Sequence, residues 1–149
     1  MADLTTTITE SVVLNGSVRG STNTLTTTGI NNVYERIVTC THSQETTLVA
    51  FNTNSYGAVV QLDKEDVRYI RITNLSATIS VEIAVVGAAT LYQVTLKAGQ
   101  SHILGAADNI MLAEADTDPS FGNMAALQNI MIQPVGTTNV DLEVFVASV

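Results

Sequence analysis

The sequence predicts an all-β fold, a single-domain antiparallel β-sandwich of about nine or ten short strands. Three observations predict it. Apolar residues make up 46% of the 149 residues and charged residues only 13%, a composition that can bury a core and is the opposite of a disordered chain. Apolar and polar residues alternate with the strand period of two in many short runs. Turn-forming residues separate these runs at the spacing of a sandwich or barrel.

The N-terminal segment, residues 1–28, stands apart because it contains nine threonines and few large apolar side chains. Alternations such as LTTTIT and TLTTT can pair as strands yet bury little surface. Two interpretations stay open: an extended N-terminal arm that lies on another surface, or ordinary edge strands of the same sandwich. The predicted domain organisation is therefore residues 1–28 for this segment and 29–149 for the sandwich.

The middle of the chain predicts two hairpins. Residues 33–41 and 46–52 form one pair of strands around a short polar turn. The stretch YIRITNLSATISVEIAVV, residues 69–86, has the clearest alternation in the chain, with an Asn-containing loop between its two runs. If the two runs pair, Arg71 and Glu82 face each other across the strands on the polar face.

Five further strands complete the predicted sandwich. They cover residues 91–96, 101–104, 110–113, 130–133 and 140–146. Gly99 suits a tight turn with positive φ between the first two. Residues 121–130, which follow Pro119, are the only segment with helical spacing and predict at most one helical turn.

The net charge, the cysteine count and the lack of long apolar runs limit the partners and the location that we expect. A net charge of −8, from 14 acidic and 6 basic residues, disfavours nucleic acid, because phosphate binding uses clustered Lys and Arg. The single Cys40 has no intramolecular disulfide partner. Neither a signal sequence nor a run of about 18 apolar residues occurs, so we expect a soluble, unexported chain without membrane contact.

The first candidate site consists of Cys40 and His42. Cys40 and His42 share a face of one predicted strand, which allows metal ligation or a thiol paired with a base. A transition metal needs three or four ligands, and His102 is the only other histidine. A buried cysteine beside a histidine at a loop is therefore the favoured interpretation of Cys40 and His42.

Weaker candidate sites for a cation, a glycan or a sugar ligand are an acidic run, two asparagines and the tyrosines. The run consists of Asp108, Glu114, Asp116 and Asp118. It lacks the glycine and bidentate carboxylate of a calcium loop, so it predicts a solvated acidic loop. Asn15 and Asn74 match glycosylation acceptors in form only. The four tyrosines, Tyr34, Tyr56, Tyr69 and Tyr92, are predicted to be half-buried strand residues and not a sugar-binding platform.

The segment LKAGQSHIL resembles the strand-turn-strand of jelly-roll proteins, including the cupins. The cupin metal centre requires further histidines and a carboxylate after the turn, and only His102 is present. The resemblance therefore implies a jelly-roll-like architecture without the metal. The sequence as a whole predicts no catalytic residue, no metal and no cofactor.

The runs VRYIRITNLSATISVEI and LYQVTLKAGQSHIL, together with the acidic composition and the threonine-rich arm, are similar to small β-sandwich virion proteins of tailed bacteriophages. In these a strand of the form V-x-Y-I-x-I-x-N-L precedes an L-x-A-G-x-S-x-I-L turn. The resemblance covers residues 66–104. It implies a capsid decoration or cement protein, or a tail or fibre component, and it carries over no functional residues.

The resulting expectation is a non-enzymatic virion protein, made in the host cytoplasm, that binds the outer surface of a phage capsid. Its partners are then the major capsid protein and neighbouring copies of itself, in a homotrimer or homodimer. Negative charge suits the outer surface better than the DNA-filled interior. The alternatives are a tail or fibre subunit, a carbohydrate-binding sandwich module and, more remotely, an enzyme that uses Cys40 and His42.

Overall fold

The computed structural model describes residues 1–52, 61–88, 91–112, 121–122 and 124–149. These residues form thirteen β-strands: β1 (Ala2–Thr9), β2 (Val12–Leu14), β3 (Ser17–Arg19), β4 (Thr22–Ile30), β5 (Asn32–Cys40), β6 (Thr46–Asn52), β7 (Gln61–Asp63), β8 (Val67–Asn74), β9 (Val81–Gly87), β10 (Leu91–Leu96), β11 (Ser101–Leu104), β12 (Leu127–Pro134) and β13 (Val140–Ser148). Within the described residues there is no helix of the length and apolar character needed to cross a membrane.

The strands β5 to β13 form a sandwich of two sheets. The first sheet has the order β11-β8-β13-β5, and the second has the order β10-β9-β12-β6-β7. All neighbours are antiparallel except β6 and β7, which are parallel. Apart from the short β7, this is the strand order of a jelly roll, in which two Greek keys close a double sheet. The predicted all-β sandwich is confirmed, with more strands than the sequence indicated.

The core lies between the two sheets and follows the period of two. On β8 and β9 the residues Ile70, Ile72, Val81 and Ile83 are fully buried, and their sequence neighbours face outward. The predicted alternation of the last strand also holds: its apolar residues Val140, Leu142, Val144 and Val146 are buried. Each fully buried aliphatic side chain contributes about 1.5–3 kcal/mol to folding.

The predicted hairpins, however, are wrong. β5 and β6 lie in different sheets, as do β8 and β9, and β10 and β11. Each connecting turn is a corner that carries the chain from one sheet to the other, so both strands direct their apolar faces into the same core. Arg71 therefore does not face Glu82; its Nη1 donates to Glu143 Oε2 of the neighbouring strand β13, at 2.7 Å.

Two smaller predictions near the C-terminus are also wrong. The expected helical turn in 121–130 is absent from the described residues, and Leu127 instead begins β12, which pairs with β9. The expected strand at 110–113 is reduced to a single bridge between Met111 and Ala125, and residue 113 lies outside the described residues. Pairing along β9 outweighs the local helical spacing of this segment.

Asn74 holds two of the corners together at the end of β8. Its buried side chain donates from Nδ2 to the carbonyl oxygens of Ile79 (2.8 Å) and Leu96 (3.1 Å). Its Oδ1 accepts from the backbone N–H of Ser76 at 3.0 Å. One amide thus satisfies backbone groups at the end of β10 and at the approach to β9, which belong to the other sheet.

Candidate interaction surface

The N-terminal arm, residues 1–30 in the structure, is one long β-hairpin. β1 pairs with β4 and β2 pairs with β3, and neither pair joins a sheet of the sandwich. Asn15 and Gly16 form the turn with φ angles of 51° and 78°, the two positive values of a type I′ turn. With about 13 residues in each half, the hairpin is about 40 Å long.

The two faces of the β1–β4 ribbon differ in chemistry. One face consists entirely of exposed threonines: Thr5, Thr7, Thr9, Thr22, Thr24 and Thr26. Hydroxyl hydrogen bonds join Thr7 to Thr24 at 3.2 Å and Thr9 to Thr22 at 3.3 Å. The opposite face carries Leu4, Ile8 and Leu25, so only this second face can pack on the sandwich through apolar contact.

The base of the arm packs on the outer face of the first sheet. Leu4 of β1 and Ile30 of β4 form a small apolar cluster with Tyr69 and Ala147, which lie side by side on β8 and β13. Phe145 joins the cluster and meets Tyr69 edge to face, with ring centroids 6.0 Å apart. This cluster is separate from the main core and fixes where the arm leaves the sandwich.

The distal part of the arm is apolar and exposed. Val12, Val13, Leu14 and Val18, next to the turn, keep between 55% and 76% of their surface in solvent. An isolated two-stranded ribbon is only marginally stable in water, and exposed apolar clusters typically mark interaction sites. We call these four residues together with Arg19 the arm tip, and it is the candidate interaction surface of the protein.

The junction between the base and the tip depends on Gly20. Its φ is +121°, and a Cβ at this position would overlap the backbone carbonyl of Glu10 on the opposite strand. The backbone N–H of Glu10 donates to Ser21 O at 2.9 Å, which keeps the ribbon paired across the irregularity. A side chain at position 20 is therefore excluded by both strain and contact.

The structure separates the predicted Cys40 and His42 pair. Cys40 is buried, and desolvation raises the pKa of its thiol to about 11. The His42 ring lies beside the Ser43 hydroxyl, at 3.2 Å from Nδ1, and its backbone N–H donates to Asn139 Oδ1. No hydrogen bond between Cys40 and His42 occurs in the described residues. A protonated, buried thiol is a poor nucleophile and a poor metal ligand.

The second histidine has a partner that the sequence did not reveal. His102 Nε2 lies 3.0 Å from Tyr92 Oη, where β11 and β10 meet at the edge of the sandwich. Burial lowers the pKa of His102 and raises the pKa of Tyr92. The pair could not be found from spacing, because the contact depends on how the two sheets stack.

The remaining candidates give no assembled site within the described residues. Asp108 accepts a hydrogen bond from Asn109 Nδ2 at 3.1 Å, while residues 114, 116 and 118 of the acidic run and Tyr56 lie outside the described residues. The buried, hydrogen-bonded side chain of Asn74 is not accessible as a glycan acceptor in the folded protein. In the described part of the chain no three His, Cys, Asp or Glu side chains stand close enough to hold a metal ion.

Comparison of the chain with protein-family models, with curated proteins and with solved structures found no match.

Proposed function

We propose that this chain is a non-enzymatic structural protein of a virion, which decorates the outer surface of a phage capsid and cements neighbouring positions. The observation that carries the proposal is the N-terminal arm: a hairpin about 40 Å long with exposed apolar side chains at its tip. A sandwich with one long arm can bridge from its own position on a shell to a neighbouring one.

The physical demands on a cement protein support this assignment. Copies on a symmetric shell make many equivalent contacts, so each contact can be weak and the lattice supplies avidity. An arm with a small apolar tip meets this demand, since one tip buries little area but is repeated at every position. The net charge of −8 suits the outer side of the shell better than the side that faces packed DNA.

The first experiment is the copy number of this chain in purified particles, measured by quantitative mass spectrometry against the major capsid protein. A ratio equal to that of the capsid subunit, or a simple fraction of it, supports a shell protein. A handful of copies per particle would favour the tail or fibre alternative. Absence from the particle would overturn the virion assignment and favour the carbohydrate-binding module.

A second experiment tests the role of the arm. Residues 10–21 are replaced by Asn-Gly, which shortens the hairpin but retains the packing of Leu4 and Ile30 on the sandwich. We expect the shortened protein to fold with the stability of the full chain and to occupy particles less completely. Normal occupancy of particles by this variant would contradict the proposed role of the tip.

A further inference from the structure

A second exposed apolar site lies on the sandwich itself, at the far end of the first sheet from the arm base. Ile37 of β5 and Leu75, which follows β8, are 66% and 45% exposed. They line a groove of about 470 Å³ beside Asp141 at the start of β13. The arm base lies near Ser148, at the opposite end of the same strand. The groove therefore combines two exposed apolar side chains with a polar rim, and the chain's own arm base leaves it uncovered.

The groove carries one carboxylate without a cationic partner. Asp141 is exposed, and its Oδ1 accepts a hydrogen bond from Thr39 Oγ1 at 2.6 Å. In the described part of the chain no cationic nitrogen lies within 4.0 Å of this carboxylate. The carboxylate of Asp141 can thus accept from a basic group that enters the groove.

The arm tip has the complementary composition. Val12 pairs with Arg19 and Leu14 pairs with Ser17, so Val12, Leu14 and Arg19 lie on the same face of the β2–β3 ribbon. Within the described residues the Arg19 side chain forms neither a hydrogen bond nor an ion pair. The tip therefore presents two apolar side chains and one free cation, and the groove presents two apolar side chains and one free carboxylate.

No described residue of the arm lines the groove of its own sandwich. From the base cluster, β1 runs towards the β11 edge of the first sheet, where its residues Leu4 to Ile8 border the same cleft as Ile103. The groove lies towards the opposite edge, on β5. The groove is therefore open to an occupant from another molecule.

We infer that the arm tip of one copy docks into the groove of a second copy of this chain, with its apolar side chains against Ile37 and Leu75 and Arg19 paired with Asp141. The outer face of the first sheet already binds the apolar face of this ribbon at the arm base, through Leu4. The docked tip extends that contact onto the uncovered part of the same sheet. Reciprocal exchange gives a two-fold dimer, and one-way docking closes a ring such as a trimer.

This inference names the partner of the arm. Docking between copies can be measured on the purified protein, whatever the protein does. Only the biological role of the docking, to link neighbouring copies on a capsid, rests on the proposed function. Loss of docking and loss of capsid binding can therefore be observed separately.

The first test uses disulfide trapping between two single variants. Leu14→Cys and Leu75→Cys proteins of the full chain are mixed, oxidised and separated without reducing agent; the native Cys40 is buried and does not compete. The matched control replaces Leu14→Cys by Thr24→Cys, an exposed position on the threonine face of the same arm. We expect the 14–75 heterodimer to exceed the 24–75 heterodimer about tenfold, because docking raises the local thiol concentration. Equal yields would overturn the inference.

The second test reverses the charges. Arg19→Glu or Asp141→Arg alone should weaken self-association about tenfold, measured by analytical ultracentrifugation across a dilution series. The two variants mixed together, or combined in one chain, should recover association towards that of the original protein. A protein that stays monomeric at every concentration, or single reversals that leave association unchanged, would refute the docking whatever the copy number on particles.

Discussion

Replacing Asn74 by alanine tests the interpretation that one buried amide joins the corners of the two sheets. The change removes three hydrogen bonds, to the carbonyl oxygens of Ile79 and Leu96 and to the N–H of Ser76. Each is worth about 1 kcal/mol net, and a buried carbonyl left without a partner costs a further 1–3 kcal/mol. Partial access of water to two of the three groups reduces this cost. We expect a loss of about 3 kcal/mol in the free energy of unfolding.

The assay is urea unfolding followed by circular dichroism, with thermal unfolding as a second probe. A loss of about 3 kcal/mol corresponds to roughly 6–12 °C in Tm for a domain of this size. Asn23→Ala is the matched control, because that exposed amide donates only to Ser21 Oγ; its cost should stay below about 0.5 kcal/mol. A loss below about 1 kcal/mol for Asn74→Ala would refute the reasoning.

An isosteric variant separates hydrogen bonding from packing at the same position. Asn74→Asp keeps the shape but directs a carboxylate at two carbonyl oxygens, which raises the carboxyl pKa in the folded state. The folded protein then binds the proton more tightly than the unfolded chain. Below about pH 4 the neutral acid can donate to only one of the two carbonyls, so the penalty relative to the original protein is that of one lost hydrogen bond; it should grow as the pH rises above about 4. A penalty independent of pH would contradict this explanation.

Three further predictions concern titratable groups. Cys40, whose pKa burial raises to about 11, should react with iodoacetamide at neutral pH only after unfolding; rapid reaction of the folded protein would contradict its burial. Because burial lowers the pKa of His102 below its ordinary value of 6.5, stability should fall as the pH drops below about 6.5. His102→Asn removes the titrating group and should reduce that fall in urea titrations; an unchanged fall would contradict the explanation. Glu143→Gln should cost about 0.5–1 kcal/mol, because its ion pair with Arg71 is about a quarter exposed. A double-mutant cycle with Arg71→Gln measures the coupling, and a coupling energy near zero would show that the pair does not contribute to stability.

The strand positions could be predicted because alternation is local, but the pairing could not. Ile70 and Ile72 on β8, and Val81 and Ile83 on β9, alternate with polar residues whether or not the two strands are neighbours. A turn and a corner between sheets use the same residue types, so the sequence between these strands does not distinguish a hairpin from a crossing. The actual neighbours of β8 are β11 and β13, and β13 is separated from β8 by most of the second half of the chain.

The pairing of the two halves of the arm with each other could be predicted from the sequence, although residues 1–28 alone fit both an arm and edge strands of the sandwich. Asn15-Gly16 is a strong type I′ signal, and it lies at the centre of a segment whose two threonine-rich halves pair with each other from Thr9↔Thr22 to Leu4↔Thr27. The pairing of Tyr92 with His102 and the groove beside Asp141 had no such signal. Each depends on contacts between side chains from different strands, which only the assembled sandwich brings together.

The distribution of residues along the arm has a physical reason. Threonine favours extended backbone through its branched Cβ yet adds little apolar surface. Thr5, Thr7 and Thr9 therefore keep the ribbon extended without adding apolar surface that would promote nonspecific association. An all-valine ribbon of this length would have two open, apolar edges and would aggregate before it found a specific partner. Val13 and Val18, next to the turn, keep most of their surface in solvent, and Ile8 and Leu25 are exposed on the ribbon face opposite the threonines. The threonine face itself therefore carries no large apolar side chain. The specificity of such an arm is then set by where its tip can reach, which is why a cysteine at position 24 on the threonine face should cross-link to position 75 far less than a cysteine at position 14, although the docking itself is left intact.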